Sequence, residues 1–436
     1  MSRTLARDLH SHISKSVTIQ GWLHKKRQLG AIAFLVIRDR SGLIQVVIDE
    51  PKEQAKLDGL QVGTIMEVTG TVVEEPRAAL GAELHQPTLT ILNPILDVGP
   101  IEIDKQIDHK PENLETLFEN RVINMRNPKE GAIFKIQSAV GDGIREYLKS
   151  QDFTEFHSPK LLAEPTEGGA EVFKLDYFGK TATLAQSAQF YKQIMVGAFE
   201  RVFEFGATYR AEPSMTTRHM TEFITVDGEM GFIESFQDIL DILSGLMNAT
   251  SDHLWTHCAP ELAMWKATKP VLTAKLPEVT LKELHALVLK ETGQDFTKEK
   301  DPTPSEERFI TEYSAKHWQS EAVFITGFPA SEMKFYHYQS PTDPEVAVRA
   351  DLIFRGVEIV TTSQRENSYP KLLEQLSKIG DPEHPGFRYY LQAFKFGLPP
   401  HAGFGLGLER LTQKMLGLNN VKEATIFPRD TGRLVP

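Results

Sequence analysis

The 436-residue sequence contains a single cysteine, Cys258. One thiol can form neither an internal disulfide bond nor a multi-cysteine metal cluster, and this usage is typical of proteins in a reducing compartment. No run of about 18 apolar residues occurs, so we expect no membrane-spanning helix. The first residues also lack the apolar segment of a secretory signal. These absences together predict a cytoplasmic protein without a membrane anchor.

An excess of positive charge is absent too, since the formal net charge is −11 at pH 7. This charge argues against a protein whose whole surface is coated with nucleic acid, but it allows local basic patches. The content of 41% hydrophobic and 25% charged residues is ordinary for a soluble globular protein. The length indicates about two to three domains.

The first hundred residues are rich in short β-branched segments, which predict a small closed barrel such as the OB-fold. Such barrels bind single-stranded nucleic acid by stacking bases on aromatic side chains within a basic groove. Phe34 and the basic stretch 24–27 fit this use. The alternative is that Phe34 lies in the barrel core and the basic stretch is merely solvated. The predicted strands are 17–23, 33–39, 43–48, 65–73 and 89–92.

Near the C-terminus, three glycines alternate in 403–407 and are followed by Glu409 and Arg410. Alternating glycines suit an extended backbone that something flat approaches closely. A guanidinium at the following turn is well placed to bind phosphate oxygens. Taken alone, the stretch is equally well explained as a glycine-rich strand that enters a helix.

A second stretch runs from Tyr209 to Phe223, with Arg210, Glu212, Arg218 and His219 between them. A strand, a loop rich in Arg and Thr, and a returning strand with an aromatic residue together predict a nucleotide clamp.

Three further patterns carry polar groups, and the first two have a structural alternative. Asp351 and Glu358 lie on two predicted strands, and such a pair can hold Mg²⁺ on a nucleotide; the alternative is a pair of salt bridges. Gln189 and Lys192 share one face of a predicted helix; the alternative is a solvated helix surface. Glu167 lies in a loop with paired glycines, which indicates a mobile segment over a site.

The stretch from Tyr209 to Phe223 resembles the second motif of class II aminoacyl-tRNA synthetases, and the stretch from Gly403 to Arg410 resembles the third. The helix predicted over 134–148, followed by a strand that stops at Pro159, resembles the first motif. Over nearly the whole chain, the sequence resembles the aspartyl-tRNA synthetases of the compact archaeal type. The resemblance implies an α+β protein with an OB-fold anticodon-binding domain in 1–98 and a hinge in 99–125. A class II catalytic domain, an antiparallel sheet flanked by helices, is then expected in 126–436, and the first motif implies a homodimer.

The resemblance also implies roles for individual residues. Arg210, Glu212 and Arg410 are the implied catalytic residues. ATP binding is implied for Arg210, Ala211, Glu212, Arg218, His219, Phe223, Glu358, Gly407, Leu408, Glu409 and Arg410. Aspartate binding is implied for Glu167, Gln189, Phe190, Tyr191, Lys192, Arg210, Thr361 and Arg365. Mg²⁺ is expected at Glu358, Thr361 and Asp351. Anticodon contacts are implied for His24, Arg27, Phe34, Gln45 and Ala79.

The implied reaction joins L-aspartate to ATP as aspartyl-adenylate and then transfers the aspartate to the 3′ end of a tRNA. An asparaginyl-tRNA synthetase is the nearest alternative, but an amide needs no pair of cations such as Lys192 and Arg365. An asparagine synthetase related to the family lacks the N-terminal barrel. A catalytically inactive tRNA-binding paralogue is disfavoured because Arg210, Glu358 and Arg410 are intact.

The anticodons of tRNA-Asp and tRNA-Asn differ only at their third letter. Enzymes of the archaeal type that charge only tRNA-Asp have an indole where this chain has His24, and a lysine where it has Ala79. The loss of both groups predicts that the barrel tolerates either letter, unless Lys26 or Arg27 restores discrimination. We therefore expect aspartylation of tRNA-Asp and tRNA-Asn, with a partner amidotransferase needed for the second product.

Overall fold

The computed structural model describes residues 3–78, 80–163, 171–213, 216–340, 342–378 and 380–435. The chain divides into two compact units, Met1–Gly131 and Ala132–Pro436, and each unit contains an apolar core of its own. Within the described ranges, no helix is long and apolar enough to cross a membrane.

The N-terminal unit is built on a closed barrel with the strand order β1-β2-β3-β5-β4 among its described residues. Ile19, Leu35 and Val46 are fully buried, because successive side chains of a strand point to opposite faces and every second one fills the interior. The predicted OB-fold is confirmed. The strands are β1 (Ser16–Leu29), β2 (Ile32–Arg38), β3 (Leu43–Ile48), β4 (Ile65–Glu74) and β5 (Ala82–Asn93).

Two barrel strands are longer than the sequence pattern predicted. β1 continues to Leu29 because a bulge between Leu23 and Lys25 shifts its register against β2 and carries the basic residues along. β5 already begins at Ala82. Its first half is mostly polar, so it lacks the clear alternation of apolar and polar residues that predicts a strand. Short helices complete the unit, at Ala6–His12, α1 (Pro51–Gln54), α2 (Leu114–Glu119) and α3 (Arg121–Asn124).

The second unit contains strands β6 to β18. The described strands form one large sheet and two small ones. The bounds are β6 (Thr154–Glu155), β7 (Leu161–Leu162), β8 (Lys174–Tyr177), β9 (Lys180–Leu184), β10 (Arg201–Tyr209), β11 (Glu222–Gly231), β12 (Glu278–Thr280), β13 (Ala322–Thr326), β14 (Phe328–Pro329), β15 (Val346–Ala347), β16 (Arg349–Phe354), β17 (Val357–Arg365) and β18 (His401–Gly407).

The large sheet has the order β12-β13-β16-β17-β18-β11-β10-β6 in the part of the chain that the structure describes. Its inner neighbours pair antiparallel, as predicted, while the short edge strands β6 and β12 pair parallel with theirs. The strand predicted to run to Pro159 pairs only at Thr154 and Glu155. Because β18 lies between β11 and β17, the predicted second and third motifs are neighbours in this sheet.

Helices flank the sheet. α6 runs from Gln237 to His257, and buried Thr250 and Ser251 continue its inner face without an apolar signal in the sequence. The first turns of α8 and α9 are fixed by capping boxes, Thr280 with Glu283 and Thr303 with Glu306. The bounds are α4 (Pro128–Ser150), α5 (Gln189–Phe199), α6 (Gln237–His257), α7 (Ala259–Met264), α8 (Leu281–Thr292), α9 (Pro304–His317), α10 (Tyr369–Ser377), α11 (Arg388–Lys395) and α12 (Leu408–Leu416).

Candidate active site

A cavity of about 430 Å³ lies on the large sheet of the second unit. Strands β11, β17 and β18 contribute to its lining, together with the helices α5 and α12 and the loop after β10. The cavity therefore brings together stretches that are far apart in the sequence. The predicted site residues that line it are Gln189, Lys192, Arg210, Glu212, Arg218, His219, Phe223, Glu358, Thr361, Arg365, Gly407, Glu409 and Arg410.

The hairpin of β10 and β11 places Arg210 beside Phe223. Tyr209 pairs with Glu222 and Thr208 with Phe223, so Arg210 leaves the sheet directly at the cavity. Its guanidinium carbon lies 5.6 Å from the centre of the Phe223 ring, a distance typical of a cation–π contact. An aromatic face and a fixed cation therefore border the same space.

The alternating glycines form β18, whose two neighbours are β11 and β17. Gly405 pairs with Asp227 on one side and with Thr361 on the other. A Cβ atom at Gly403 would lie 1.8 Å from Glu229 Oε2, so only glycine leaves room for that carboxylate. The glycine at position 403 thus serves a buried carboxylate of the neighbouring strand, a use that the sequence did not reveal.

Arg410 and Glu358 meet at one end of the cavity. Arg410 Nη1 donates to the Glu358 carbonyl oxygen at 3.0 Å and to its Oε2 at 3.4 Å. His219 lines the same end. Burial and the positive charge of Arg410 lower the pKa of His219, so we expect a neutral imidazole at pH 7.

The predicted metal-holding residues lie close together, with unequal charge. Thr361 Oγ1 donates to Glu358 Oε1 at 2.9 Å, and Arg349 Nη2 donates to Asp351 Oδ2 at 2.7 Å. Burial, against the attraction of Arg349, raises the pKa of Asp351 to about 7. Burial also opposes ionisation of Glu358, but Arg410 and Thr361 outweigh it and lower the pKa of that carboxyl. Glu358 is therefore the better ligand for a cation.

These groups fit Mg²⁺ only together with a nucleotide. No described cluster of three or more His, Cys, Asp or Glu side chains can hold a metal ion alone. Mg²⁺ usually takes one or two carboxylates and completes its shell with phosphate oxygens and water. Glu358 and the Thr361 hydroxyl offer that partial set beside the guanidinium of Arg410.

The inner end of the cavity holds two buried cations, each with a carboxylate partner. Lys192 Nζ lies 2.9 Å from Asp227 Oδ1 and donates to the Phe404 carbonyl oxygen at 2.8 Å. Arg365 donates from Nε to Glu229 Oε1 at 2.8 Å and from Nη2 to Oε2 at 3.2 Å. Both cations are less than 5% exposed. The solvated helix surface considered for Lys192 and Gln189 is therefore wrong, since both side chains are buried.

Asp227 and Glu229 were missed by the sequence reasoning. They alternate with Val226 and Gly228 on β11, so their side chains share one face of the sheet. The negative charge of Asp227 survives burial because Lys192 and the Thr225 hydroxyl hold its pKa below the ordinary value. The available signal was the alternation of polar residues at positions 225, 227 and 229, directly after the last residue of the predicted nucleotide clamp.

Several implied site residues do not line the cavity. Phe190 stacks on Tyr390 with 4.3 Å between ring centres, inside an apolar cluster behind α5. Glu167 lies outside the described residues. The remaining implied residues that are not part of the lining are Tyr191, Ala211, Asp351 and Leu408.

On the barrel, the implied anticodon residues Arg27, Phe34 and Gln45 lie on β1, β2 and β3 with their side chains outside the core. Phe34 is half-buried and pairs with Arg27 across the strands, which rules out a place in the barrel core. Gln45 pairs with Val36, and its Nε2 donates to Glu83 Oε2 at 2.7 Å. Glu83, which the sequence reasoning missed, therefore fixes the orientation of the Gln45 amide.

Of the two positions implied to discriminate between tRNA-Asp and tRNA-Asn, the structure describes only His24. His24 lies at the β1 bulge, where burial and the neighbouring Arg38 lower the pKa of its ring. Ala79 lies outside the described residues.

Residues 113–431 match the model of the family described as tRNA synthetases class II (D, K and N). The chain belongs to this class II tRNA synthetase family. Residues 17–92 match the OB-fold nucleic acid binding domain, which agrees with the barrel.

Individual class II relatives cover the whole length. An aspartate–tRNA(Asp/Asn) ligase of Thermus thermophilus is 40% identical over 435 residues, which are 100% of each chain. An aspartate–tRNA(Asp) ligase of Pyrococcus furiosus is 37% identical over 97% of this chain and 96% of its own. Among solved structures, asparaginyl-tRNA synthetase from Pyrococcus horikoshii, complexed with asparaginyl-adenylate, superposes with a TM-score of 0.90 at 30% identity over all of both chains.

We predict that Glu229→Gln destabilises this class II synthetase by about 3–5 kcal/mol, because it removes one charge of a buried ion pair and leaves Arg365 without its partner. Urea unfolding of the purified variant measures the change. Glu374→Gln is the control, since its partner Lys378 is largely exposed and the loss should stay below about 1 kcal/mol. Equal losses in the two variants would contradict the prediction.

Proposed function

We propose that this class II synthetase is an aspartate–tRNA ligase, which forms aspartyl-adenylate from L-aspartate and ATP and transfers the aspartate to tRNA. The observation that carries the proposal is the pair of buried cations, Lys192 and Arg365, at the inner end of the cavity. Buried charges are retained where they are paired or bind an opposite charge. Asp227 and Glu229 are the protein partners of the two cations, and a substrate carboxylate adds a further partner.

The nucleotide occupies the other end of the cavity in this proposal. Phe223 stacks on the adenine, and Arg410 lies against its opposite face. Arg210 binds the α-phosphate, where charge develops during attack by the substrate carboxylate. The reaction is an in-line displacement in which the α-carboxylate oxygen of aspartate attacks the α-phosphorus of ATP and pyrophosphate leaves, so the protein has to position and neutralise charge and needs no nucleophile of its own.

The remaining polar residues have supporting roles. Glu358 and Thr361 would hold Mg²⁺, which neutralises phosphate charge when it is bound, and Asp351 is a further acidic neighbour. Glu212, Arg218, His219, Gly407 and Glu409 complete the ATP site. Gln189 and Glu167 take part in holding the amino acid.

Asparagine is the second candidate substrate, because a solved asparaginyl-tRNA synthetase has the same fold over the whole chain. Its neutral amide would accept weaker hydrogen bonds from Lys192 and Arg365 than a carboxylate, whose bonds to these cations are charge-assisted, so aspartate fits these residues better. The test is charging of purified tRNA-Asp with radiolabelled aspartate and with asparagine. Charging with asparagine alone would overturn the proposal.

The proposal extends to partners. The helix α4 and the strand that follows it correspond to the first class II motif, and we propose that they pair two copies into a homodimer. The barrel surface of Phe34, Arg27 and Gln45 is proposed to contact the anticodon, with a base stacked on the phenyl ring. The enzyme is proposed to act in the cytoplasm.

We predict that Lys192→Ala and Arg365→Ala each lower kcat/KM for aspartate in ATP–pyrophosphate exchange. Truncating one member of a buried charged contact costs about 2–5 kcal/mol, which corresponds to roughly 30-fold or more. Lys395→Ala is the control, because this lysine lies at the end of α11 and outside the lining of the cavity. The assignment fails if both alanine variants keep the wild-type kcat/KM.

We also predict that tRNA-Asp and tRNA-Asn are both aspartylated. His24 replaces the indole of strictly tRNA-Asp-specific enzymes, and discrimination normally requires a contact that disfavours the wrong partner. Relatives named for both tRNAs and for tRNA-Asp alone have similar identities, 40% and 37%. The kcat/KM values for the two tRNAs, measured with aspartate, should agree within about a hundredfold, or roughly 2.7 kcal/mol. A larger preference for tRNA-Asp would show that the barrel discriminates and that no amidotransferase partner is needed.

A further inference from the structure

The helix α9 brings one carboxylate close to the cavity. This helix belongs to a part of the chain that has no role in the sequence-based assignment. Glu307 lies in the first turn of this helix and is 5% exposed. Arg218 Nη2 lies 2.8 Å from Glu307 Oε1 and 2.8 Å from Oε2. Arg218 also lines the cavity, so Glu307 reaches the site through this arginine.

The backbone at Glu307 is held firmly on both sides. Its neighbour Glu306 forms the capping box with Thr303 and also binds His285 Nδ1 at 2.7 Å. On the other side, Arg308 packs against the turn between β16 and β17, where a Cβ on Gly356 would lie 2.9 Å from the Arg308 side chain. Glu307 is therefore a rigid attachment point, whereas Arg218 belongs to the loop between β10 and β11.

Three arginines that line the cavity each have a glutamate close by, and Glu307 is one of these glutamates. Arg210 lies 3.8 Å from Glu212, Arg410 lies 3.4 Å from Glu358, and Arg218 has Glu307. Burial raises the pKa of Glu307, against the attraction of Arg218, and the charge of Glu358 adds to the rise. Glu307 therefore lies within the electrostatic field of the site although it does not line the cavity.

We propose that Glu307 is a positioning residue for ATP, because it holds the Arg218 guanidinium at the cavity by Nη2 and leaves Nη1 to meet a phosphate. The guanidinium has five N–H donors in a rigid fork, so one edge can bind a protein carboxylate while another binds an anion. Without Glu307, the long Arg218 side chain would be less restricted before ATP binds and would lose more rotamer freedom on binding. The inference rests on the proposed function, since it assigns a phosphate to Arg218.

The test is ATP–pyrophosphate exchange by Glu307→Ala, with KM determined separately for ATP and for aspartate. We expect KM for ATP to rise about tenfold, in line with the loss of one hydrogen bond between charged groups, and KM for aspartate to change less than about twofold. Glu307→Gln keeps an acceptor oxygen and should give an intermediate KM for ATP. The double variant Arg218→Ala, Glu307→Ala should resemble Arg218→Ala alone, because both changes remove the same contact.

The variant Glu306→Gln distinguishes an effect of the helix from an effect of the contact between Glu307 and Arg218. It weakens the cap of α9 but leaves Glu307 in place. This control should unfold at a lower temperature and keep the wild-type KM for ATP. The inference is overturned if Glu307→Ala keeps the wild-type KM for ATP, if its effect multiplies with that of Arg218→Ala, or if Glu306→Gln raises KM for ATP equally. Failure of the proposed function looks different, since the wild type itself would then show no exchange with aspartate.

Discussion

The candidate site depends on two buried ion pairs, Lys192 with Asp227 and Arg365 with Glu229. Each cation needs a partner at this depth, because burying an isolated charge costs many kcal/mol. The partners come from alternate positions on one strand, β11, and the cations come from α5 and β17. The pairs therefore tie three elements together at the point where the amino acid is proposed to bind.

The strand order of the sheet makes this arrangement possible. With β18 between β11 and β17, the same register brings Asp227, Gly405 and Thr361 into one row. Glycines on the central strand keep that row open and make room for Glu229 at position 403. Along the strands, Glu229 and Arg365 lie on one side of this row, and Arg210 and Arg410 follow the strand ends on the other side. The two substrates of the proposed reaction can thus meet above the glycines.

Much of this site could be predicted from the sequence, because its residue types are unusual for a strand or loop. Arg210 and Arg410 stood out beside Phe223 and the alternating glycines. The pattern could not reveal Asp227 and Glu229, since a strand with polar residues at alternate positions is most often half solvated. Only the structure shows that Asp227 and Glu229 are buried along with Val226 and Met230 on the same strand.

The remaining differences have local causes. Glu307 could not be predicted because its contact with Arg218 joins residues 89 positions apart. Phe190 lies next to Gln189 in the sequence, but on a helix the neighbouring position points elsewhere, and its ring packs against Tyr390. The barrel strands were recognised from their β-branched residues, whereas the basic end of β1 was not, because a bulge and charged side chains obscure its alternation.

The central claim is that the buried cations select a carboxylate over an amide. The most direct test is ATP–pyrophosphate exchange by the wild-type protein with aspartate and with asparagine, compared as kcat/KM. The account predicts a preference for aspartate of at least about a hundredfold, since hydrogen bonds from the two cations to a carboxylate are charge-assisted and those to an amide are weaker. Equal values for the two amino acids, or a preference for asparagine, would contradict it.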